Sequence, residues 1–323
     1  MISRRLLRIK VLQTFYSHLL VNDKYDIILA TKELNKHINQ FHRQYILFLD
    51  LMNEIKKYAE RKYEIEKNKF IQNKNTEIVF LKLFKNKLIN KFLESETFQN
   101  YKKNYGVNWL NNSDLAKKIT IDFTKSEIFE KYLDKEQNFA NDKKLIKDFY
   151  ETFLMKQYPD IYFAMEEASI YWADTTDYAL KNCAKTIMEV NEDDYPTEIQ
   201  VFPVYKQKDD LEFAIKLLQQ TISNQDKLFE HIQPFITQWD FERLFKLDMI
   251  ILQLAITEFI EYPTIPLLAT IDEYVEISKE YCTEKSWAFI NGVLDRIIHH
   301  LCKQGKIKKL KDGCEKFINN SAK

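Results

Sequence analysis

Residues 249–260 read Met-Ile-Ile-Leu-Gln-Leu-Ala-Ile-Thr-Glu-Phe-Ile, an apolar run interrupted only by Gln253, Thr257 and Glu258. It is well short of the ~20 residues that a bilayer span needs. Apolar side chains nearly all round the turn mark a helix enclosed on every side, at the centre of a helical domain. The pattern predicts this helix over about 241–259, ended by Pro263.

The flanking sequence supplies the partners. Upstream, Leu211, Ala214, Ile215, Leu218 and Ile222 form one stripe at helical spacing, and Leu228, Phe229, Ile232, Phe235 and Ile236 form a second that must accommodate Pro234. Downstream of the Tyr262–Pro266 turn two helix starts compete: Thr264 as N-cap with Pro266 in the first turn, or Thr270 and Glu273 as a capping box. A last helix carries Phe289, Ile290, Val293, Leu294, Ile297 and Leu301, with Ser286 as candidate N-cap. Gly292 lies inside it, where glycine costs about 1 kcal/mol relative to alanine, so close helix packing is the expected reason.

Composition agrees with an all-α fold. The 323 residues include only 4 Gly and 6 Pro, too few for glycine-rich phosphate loops or a turn-rich β-sandwich. No secretion signal is legible in residues 1–20, and Cys183, Cys282, Cys302 and Cys314 are widely spaced, so free thiols in a cytosolic protein are expected, with no zinc site or disulfide frame.

Charge is unevenly placed although the total is zero. Residues 1–24 carry five Lys/Arg against Asp23, and residues 303–323 carry seven Lys against Asp312 and Glu315. The ends are therefore +4 and +5 around an acidic body, which suits a polyanion held by the termini.

The first helix is expected from Ser3 to Leu20, since Leu12, Phe15, Tyr16 and Leu19 recur at helical spacing. Arg4, Arg5 and Arg8 share about 100° of its circumference, with Lys10 close behind. At a helix N-terminus each positive charge is unfavourable by roughly 0.3–1 kcal/mol. Two readings are open: a phosphate site, or a frayed and solvated end.

Between the ends, residues 26–158 read as Lys/Glu/Asn-rich helices broken near Asn73–Asn75 and Gly106–Asn112, with Phe80, Phe84, Phe92, Phe98 and Trp109 as core. A shift of 67 residues pairs Asp142 with Asp209, Ile146 with Phe213, Trp172 with Trp239 and Cys183 with Ile250, which suggests a duplicated helical unit. Glu189–Glu198, with five acids and Pro196, reads as a solvated linker. The expected division is 1–24 basic helix, 25–188 helical insertion, 189–208 acidic linker, 209–302 helical core and 303–323 basic tail.

Enzyme signatures are missing: HExxH, a nucleophile elbow, Walker A and a dinucleotide fingerprint do not occur. Asp272, Glu273, Glu276 and Glu280 lie at helical spacing without a converging His cluster and read as a solvated acidic face. His299 and His300 point about 100° apart on a helix. No catalytic site, cofactor or metal is expected.

Residues 239–297 carry an ordered pattern: an apolar helix ending in Glu258; Ile265 and Pro266; Ile271, Asp272, Glu273, Val275, Glu276 and Lys279; then Phe289, Ile290, Asn291, Gly292, Leu294, Asp295 and Arg296. This strongly resembles the C-terminal half of the NusB family of transcription antitermination factors. Residues 3–16, SRRLLRIKVLQTFY, are similar to the first helix of that family. The resemblance implies an all-α fold that binds single-stranded boxA RNA of ribosomal RNA operons together with NusE, the ribosomal small-subunit protein, in the RNA polymerase antitermination complex. Carried over by position, the RNA side comprises Arg4, Arg5, Arg8, Lys10, Gln13, Tyr281, Lys285, Ser286 and Phe289, and the partner side Tyr16 and Asp248. Bases would stack on Tyr281 or Phe289. Lys285 stands where the family commonly has an acid, and about 150 residues before Lys208 have no counterpart in ordinary members. The alternative is a protein–protein scaffold of the same fold that has lost RNA binding; a methyltransferase fragment fails for want of a glycine motif for the methyl donor.

Overall fold

The computed structural model describes residues 1–21, 26–71, 73–236, 246–310 and 314. In chain order the α-helices are α1 (Arg4–Val21), α2 (Ile27–Lys67), α3 (Lys74–Phe84), α4 (Lys87–Leu93), α5 (Glu96–Tyr105), α6 (Ser113–Thr124), α7 (Glu127–Leu133), α8 (Phe139–Asp148), α9 (Asp160–Ala168), α10 (Thr176–Glu189), α11 (Asp210–Ser223), α12 (Gln225–Ile232), α13 (Lys246–Glu261), α14 (Leu267–Tyr281) and α15 (Glu284–Lys303). A π-helix, Phe149–Gln157, continues α8. The fold is all-α; the described residues hold no strand, only an isolated parallel bridge between Ile2 and Tyr205. No described helix is long and apolar enough to cross a membrane.

The chain forms two compact units: residues 2–38 with 205–323, and residues 39–204 with Met1. The division falls at 39 and 204, beside an expected insertion of 25–188 and a linker of 189–208. The cause is α2, which runs for 41 residues without Gly or Pro and gives its first turns to one unit and the rest to the other.

In the unit of residues 2–38 and 205–323, α13 is the central helix. Ile250, Ile251, Leu252, Leu254, Ala255, Ile256, Thr257, Glu258 and Phe259 are all buried, so its circumference is covered by neighbours. It packs against α1, α11, α12, α14 and α15. Pro234 is accommodated because α12 ends at Ile232 and a short 3-10 turn follows. Of the two candidate starts for the next helix the earlier is close to what forms: Pro266 sits at the boundary and α14 begins at Leu267.

Several expectations here are corrected. Thr283, not Ser286, precedes α15, and Ser286 is turned inward. Gly292 is exposed, and a Cβ there would meet nothing within 4 Å, so helix packing does not explain it. Cys302 and Cys314 form a disulfide, leaving Cys183 and Cys282 free. Gly305, at φ +67°, turns the chain back after α15 and brings two cysteines 12 residues apart within bonding reach. The described part of the basic tail is fastened at a few points while Lys303, Lys306 and Lys308 stay exposed. Ile307 is buried, Lys309 Nζ donates to the carbonyls of Glu258 (3.1 Å) and Tyr262 (2.7 Å), and Leu310 N donates to Pro263 O (3.0 Å). These bonds satisfy carbonyls at and just beyond the C-terminus of α13.

In the unit of residues 39–204 the middle of α2 is the core, with Phe41, Tyr45, Ile46, Phe48, Leu49 and Met52 buried. Side chains donate to its carbonyls: Trp172 Nε1 to Gln40 O (2.9 Å), Trp109 Nε1 to Leu47 O (3.0 Å) and the Tyr150 hydroxyl to Phe48 O (2.8 Å). Phe80, Phe92, Phe98 and Trp109 are buried and Phe84 is half-buried, stacked on Tyr63. Gly106, in the left-handed region at φ +58°, caps α5. His42 is ringed by Tyr45, Tyr101 and Tyr105 and bonded to the Tyr105 hydroxyl (2.9 Å) and Phe202 O (2.8 Å). Within Glu189–Glu198 only Val190 is buried, while Ile199, Val201 and Phe202, which follow it, belong to this core.

Positions paired at the 67-residue shift fall on α8 and α11, α9 and α12, and α10 and α13, in the same order. Trp239 of the tryptophan pair lies outside the described residues.

Candidate functional site

The arginines that open α1 are paired with acids from three other helices of the same unit. Ser3 begins the helix, its Oγ accepting from Leu6 N at 3.2 Å, and no acid lies in the first turn. Arg4 donates to Asp210 Oδ1 (3.2 Å), Asp209 Oδ2 (2.9 Å) and Gln207 Oε1 (3.4 Å) at the start of α11. Arg5 donates through Nε and Nη2 to the two oxygens of Glu273 on α14 (2.9 and 3.1 Å). Arg8 does the same to Glu258 on α13, at 2.8 Å for both bonds. The unfavourable end of the α1 dipole is thus compensated by paired carboxylates, and α1 is fastened to three helices at once.

Arg8 is 4 % exposed and Glu258 0 %. Thr270 Oγ1 (2.8 Å) and the Tyr274 hydroxyl (3.4 Å) also donate to that carboxylate. Burial opposes the charge on Arg8, but the bound Glu258 carboxylate, with Tyr274 and Glu273 nearby, holds its guanidinium above the ordinary arginine range. The Phe213 ring lies under both guanidinium groups, 5.0 Å from Arg4 and 5.3 Å from Arg8. Arg8 therefore faces the interior, contrary to its expected place in a phosphate site: a ligand would have to break a doubly bonded buried ion pair to reach it. Lys10 is likewise buried, donating to Gln13 Oε1 at 3.0 Å. Arg4 and Arg5 keep 32 % and 41 % of their side-chain surface exposed.

One turn further along α1 a groove of about 580 Å³ opens between this helix, the start of α13 and the junction of α14 and α15. Its walls include Leu12, Gln13, Tyr16, Asp248, Tyr281 and Thr283. Four of the expected site residues, from both the RNA side and the partner side, meet here: Gln13, Tyr16, Asp248 and Tyr281. Gln13 Nε2 donates to the Tyr281 hydroxyl at 3.4 Å.

Asp248 is the polar anchor of the groove. It is buried, accepts from Ser286 Oγ through Oδ2 (3.1 Å), and its other oxygen, Oδ1, has no hydrogen-bond partner. Burial, and then the bond to the Asp248 carboxylate, pushes the Cys282 thiol up, so it stays protonated beside the acid. With Ser286 and Cys282 both bonded to it, the Asp248 carboxylate gives the mostly apolar groove one acidic point, which favours a ligand carrying a donor or a positive charge.

The remaining expected residues divide by exposure. Lys285 is exposed at the start of α15. Ser286 holds Asp248 and does not face solvent. Phe289, at 9 % exposure, is packed in the core and offers no face for a base, contrary to its expected stacking role. The residue that sequence reasoning missed is Trp287, 40 % exposed with Lys279 Nζ 5.5 Å from its ring centre. Spacing gave no signal for its exposure: 287 precedes 290 by three residues and 294 by seven, which puts it at the edge of the apolar stripe 290, 293, 294, 297 and reads as core. Among the described residues no group of three or more His, Cys, Asp or Glu could hold a metal ion.

These features define an all-α protein with a donor-seeking groove beside a basic helix. Residues 178–299, from α10 into α15, match the NusB family. The transcription antitermination protein NusB of Finegoldia magna is 35 % identical over 122 residues, 36 % of this chain and 89 % of the relative. Those of Natranaerobius thermophilus and Thermodesulfovibrio yellowstonii are 39 % and 44 % identical over 87 and 85 residues, which is 27 % and 26 % of this chain and 63 % and 56 % of the relatives. The chain belongs to the NusB family. It spans about three-fifths of the length of several curated relatives that it matches. The family match leaves out α1, although α1 packs on the matched helices α11 and α13. No solved structure matches the chain.

Proposed function

We propose that this chain is a transcription antitermination factor that binds single-stranded boxA-type RNA of ribosomal RNA operons together with the ribosomal protein NusE, within the RNA polymerase antitermination complex in the cytoplasm. The observation that carries this reading is the groove, where Gln13 and Tyr281 on the RNA side meet Tyr16 and Asp248 on the partner side. The Asp248 carboxylate and the Tyr16 side chain, both in the groove wall, face the protein partner. Arg4, Arg5 and Lys285 supply phosphate contacts, with Arg8 and Lys10 acting as supports of α1 rather than as RNA ligands. No enzyme activity is part of this function.

Binding of a short boxA-containing leader RNA and a scrambled control, each with and without NusE, at two salt concentrations, tests it. Sequence-preferring binding that NusE tightens is the expected result; equal affinity for both RNAs in the presence of NusE contradicts it. The pairing of all three arginines with acids favours a second reading, a protein scaffold of the same fold without RNA binding, and that second result would establish it.

A further inference from the structure

We propose that Trp287 is a base-stacking residue for the bound RNA, with Lys279 holding a neighbouring phosphate. The proposal rests on the RNA reading above and extends it to two residues, Trp287 and Lys279, that were not among the RNA-side positions. Trp287 is a large aromatic side chain left 40 % exposed, whereas the other two described tryptophans, Trp109 and Trp172, are 2 % and 6 % exposed. Lys279 is exposed beside it, its ammonium group against the indole, whereas Lys285, two residues earlier on α15, is exposed on the other side of that helix.

An exposed aromatic ring with an ammonium group against it is an arrangement by which single-stranded nucleic acid is held without strict sequence readout: the ring takes a base face and the cation takes a phosphate. Thr283, in the groove wall, is one helical turn before Trp287, so a strand leaving the groove along α15 meets the indole next. Beyond it α15 presents Ala288, Asn291 and Gly292 to solvent, a face with little side-chain bulk. Acids are close as well: Glu276 accepts from Lys279 at 2.6 Å, and Glu284 opens α15. A protein ligand would have to bring its own charge to Lys279, while RNA supplies it in its backbone.

The test uses the full chain with the boxA-type RNA and NusE. Trp287→Ala should weaken RNA binding by about 5- to 150-fold, the range of losing one stacked base, with the salt slope unchanged. Trp287→Phe should retain most of the affinity, and Lys279→Ala should lower the salt slope by about one. Quenching of the Trp287 fluorescence on RNA addition should vanish in Trp287→Phe. Wild-type binding with an unaltered Trp287→Ala affinity, in a variant whose melting temperature is unchanged, overturns this proposal and leaves the RNA reading standing. A Trp287→Ala defect in NusE binding alone also overturns it and assigns the indole to the protein partner. Failure of the wild-type chain to bind RNA removes both.

Discussion

Arg8 and Glu258, 250 residues apart in the chain, are joined by two hydrogen bonds of 2.8 Å inside the core of one unit. The arrangement ties the first helix to the central one and satisfies both members. Removing either charge leaves the other buried without its partner, which costs about 3–5 kcal/mol. Arg8→Ala should therefore lower the stability of the unit of residues 2–38 and 205–323 by that amount in denaturant unfolding. Replacing both, as in R8M/E258L, should recover much of it, because no unpaired charge remains. A single variant within 1 kcal/mol of wild type would show that the pair is not formed.

His42 gives the other unit a pH dependence. Burial pushes its imidazole down to about 4 from an ordinary 6.5. The unfolded chain therefore takes up the proton first as pH falls, and stability that is full above about pH 6.5 is lost as pH drops towards 4. The loss approaches about 3 kcal/mol for this group. Urea midpoints across that window should fall more steeply for wild type than for His42→Gln; parallel curves would contradict the assignment.

Arg4 and Arg5 should contribute to RNA affinity through charge. Their alanine variants are expected to weaken binding and to reduce the salt slope by about one each. Both keep exposed surface, Asp209 and Glu273 are partly exposed, and the buried Asp210 keeps its bonds from Lys206 N and Gln207 N when Arg4 is removed, so folding should be little affected. Unchanged salt slopes in gel-shift titrations would return these arginines to a structural role.

Asp248→Asn keeps the size of the side chain and the bond to Ser286 but removes the charge that faces the groove. NusE binding measured by calorimetry should weaken about tenfold or more, as expected for losing a charge-assisted hydrogen bond. RNA binding without NusE should change much less. An unaltered NusE affinity would place the partner elsewhere.

The central helix and its neighbours were legible because they depend on local periodicity, whereas Gln13, Tyr16, Asp248 and Tyr281 were singled out only by position from the family resemblance. The role of Arg8 was not legible, since it depends on a carboxylate 250 positions away that no spacing rule connects to it. Gly292 misled for a related reason: which face of α15 is covered is decided by α13 and α14, and the glycine faces outward, while Phe289 sits in the core as its place in the apolar stripe indicates. The unit boundary was misread because α2 continues through it with no breaker to mark the change. The disulfide depended on a chain reversal at Gly305 that spacing alone does not disclose.

Hydrogen exchange of the full chain, free and bound to boxA-type RNA and NusE, tests the central claim most directly by locating the ligands on the molecule. Protection is predicted in α1 around Gln13 and Tyr16, at the start of α13 around Asp248, and across the α14–α15 junction from Tyr281 to Lys285. Protection confined to residues 39–204, or no change in these three segments, would contradict the account.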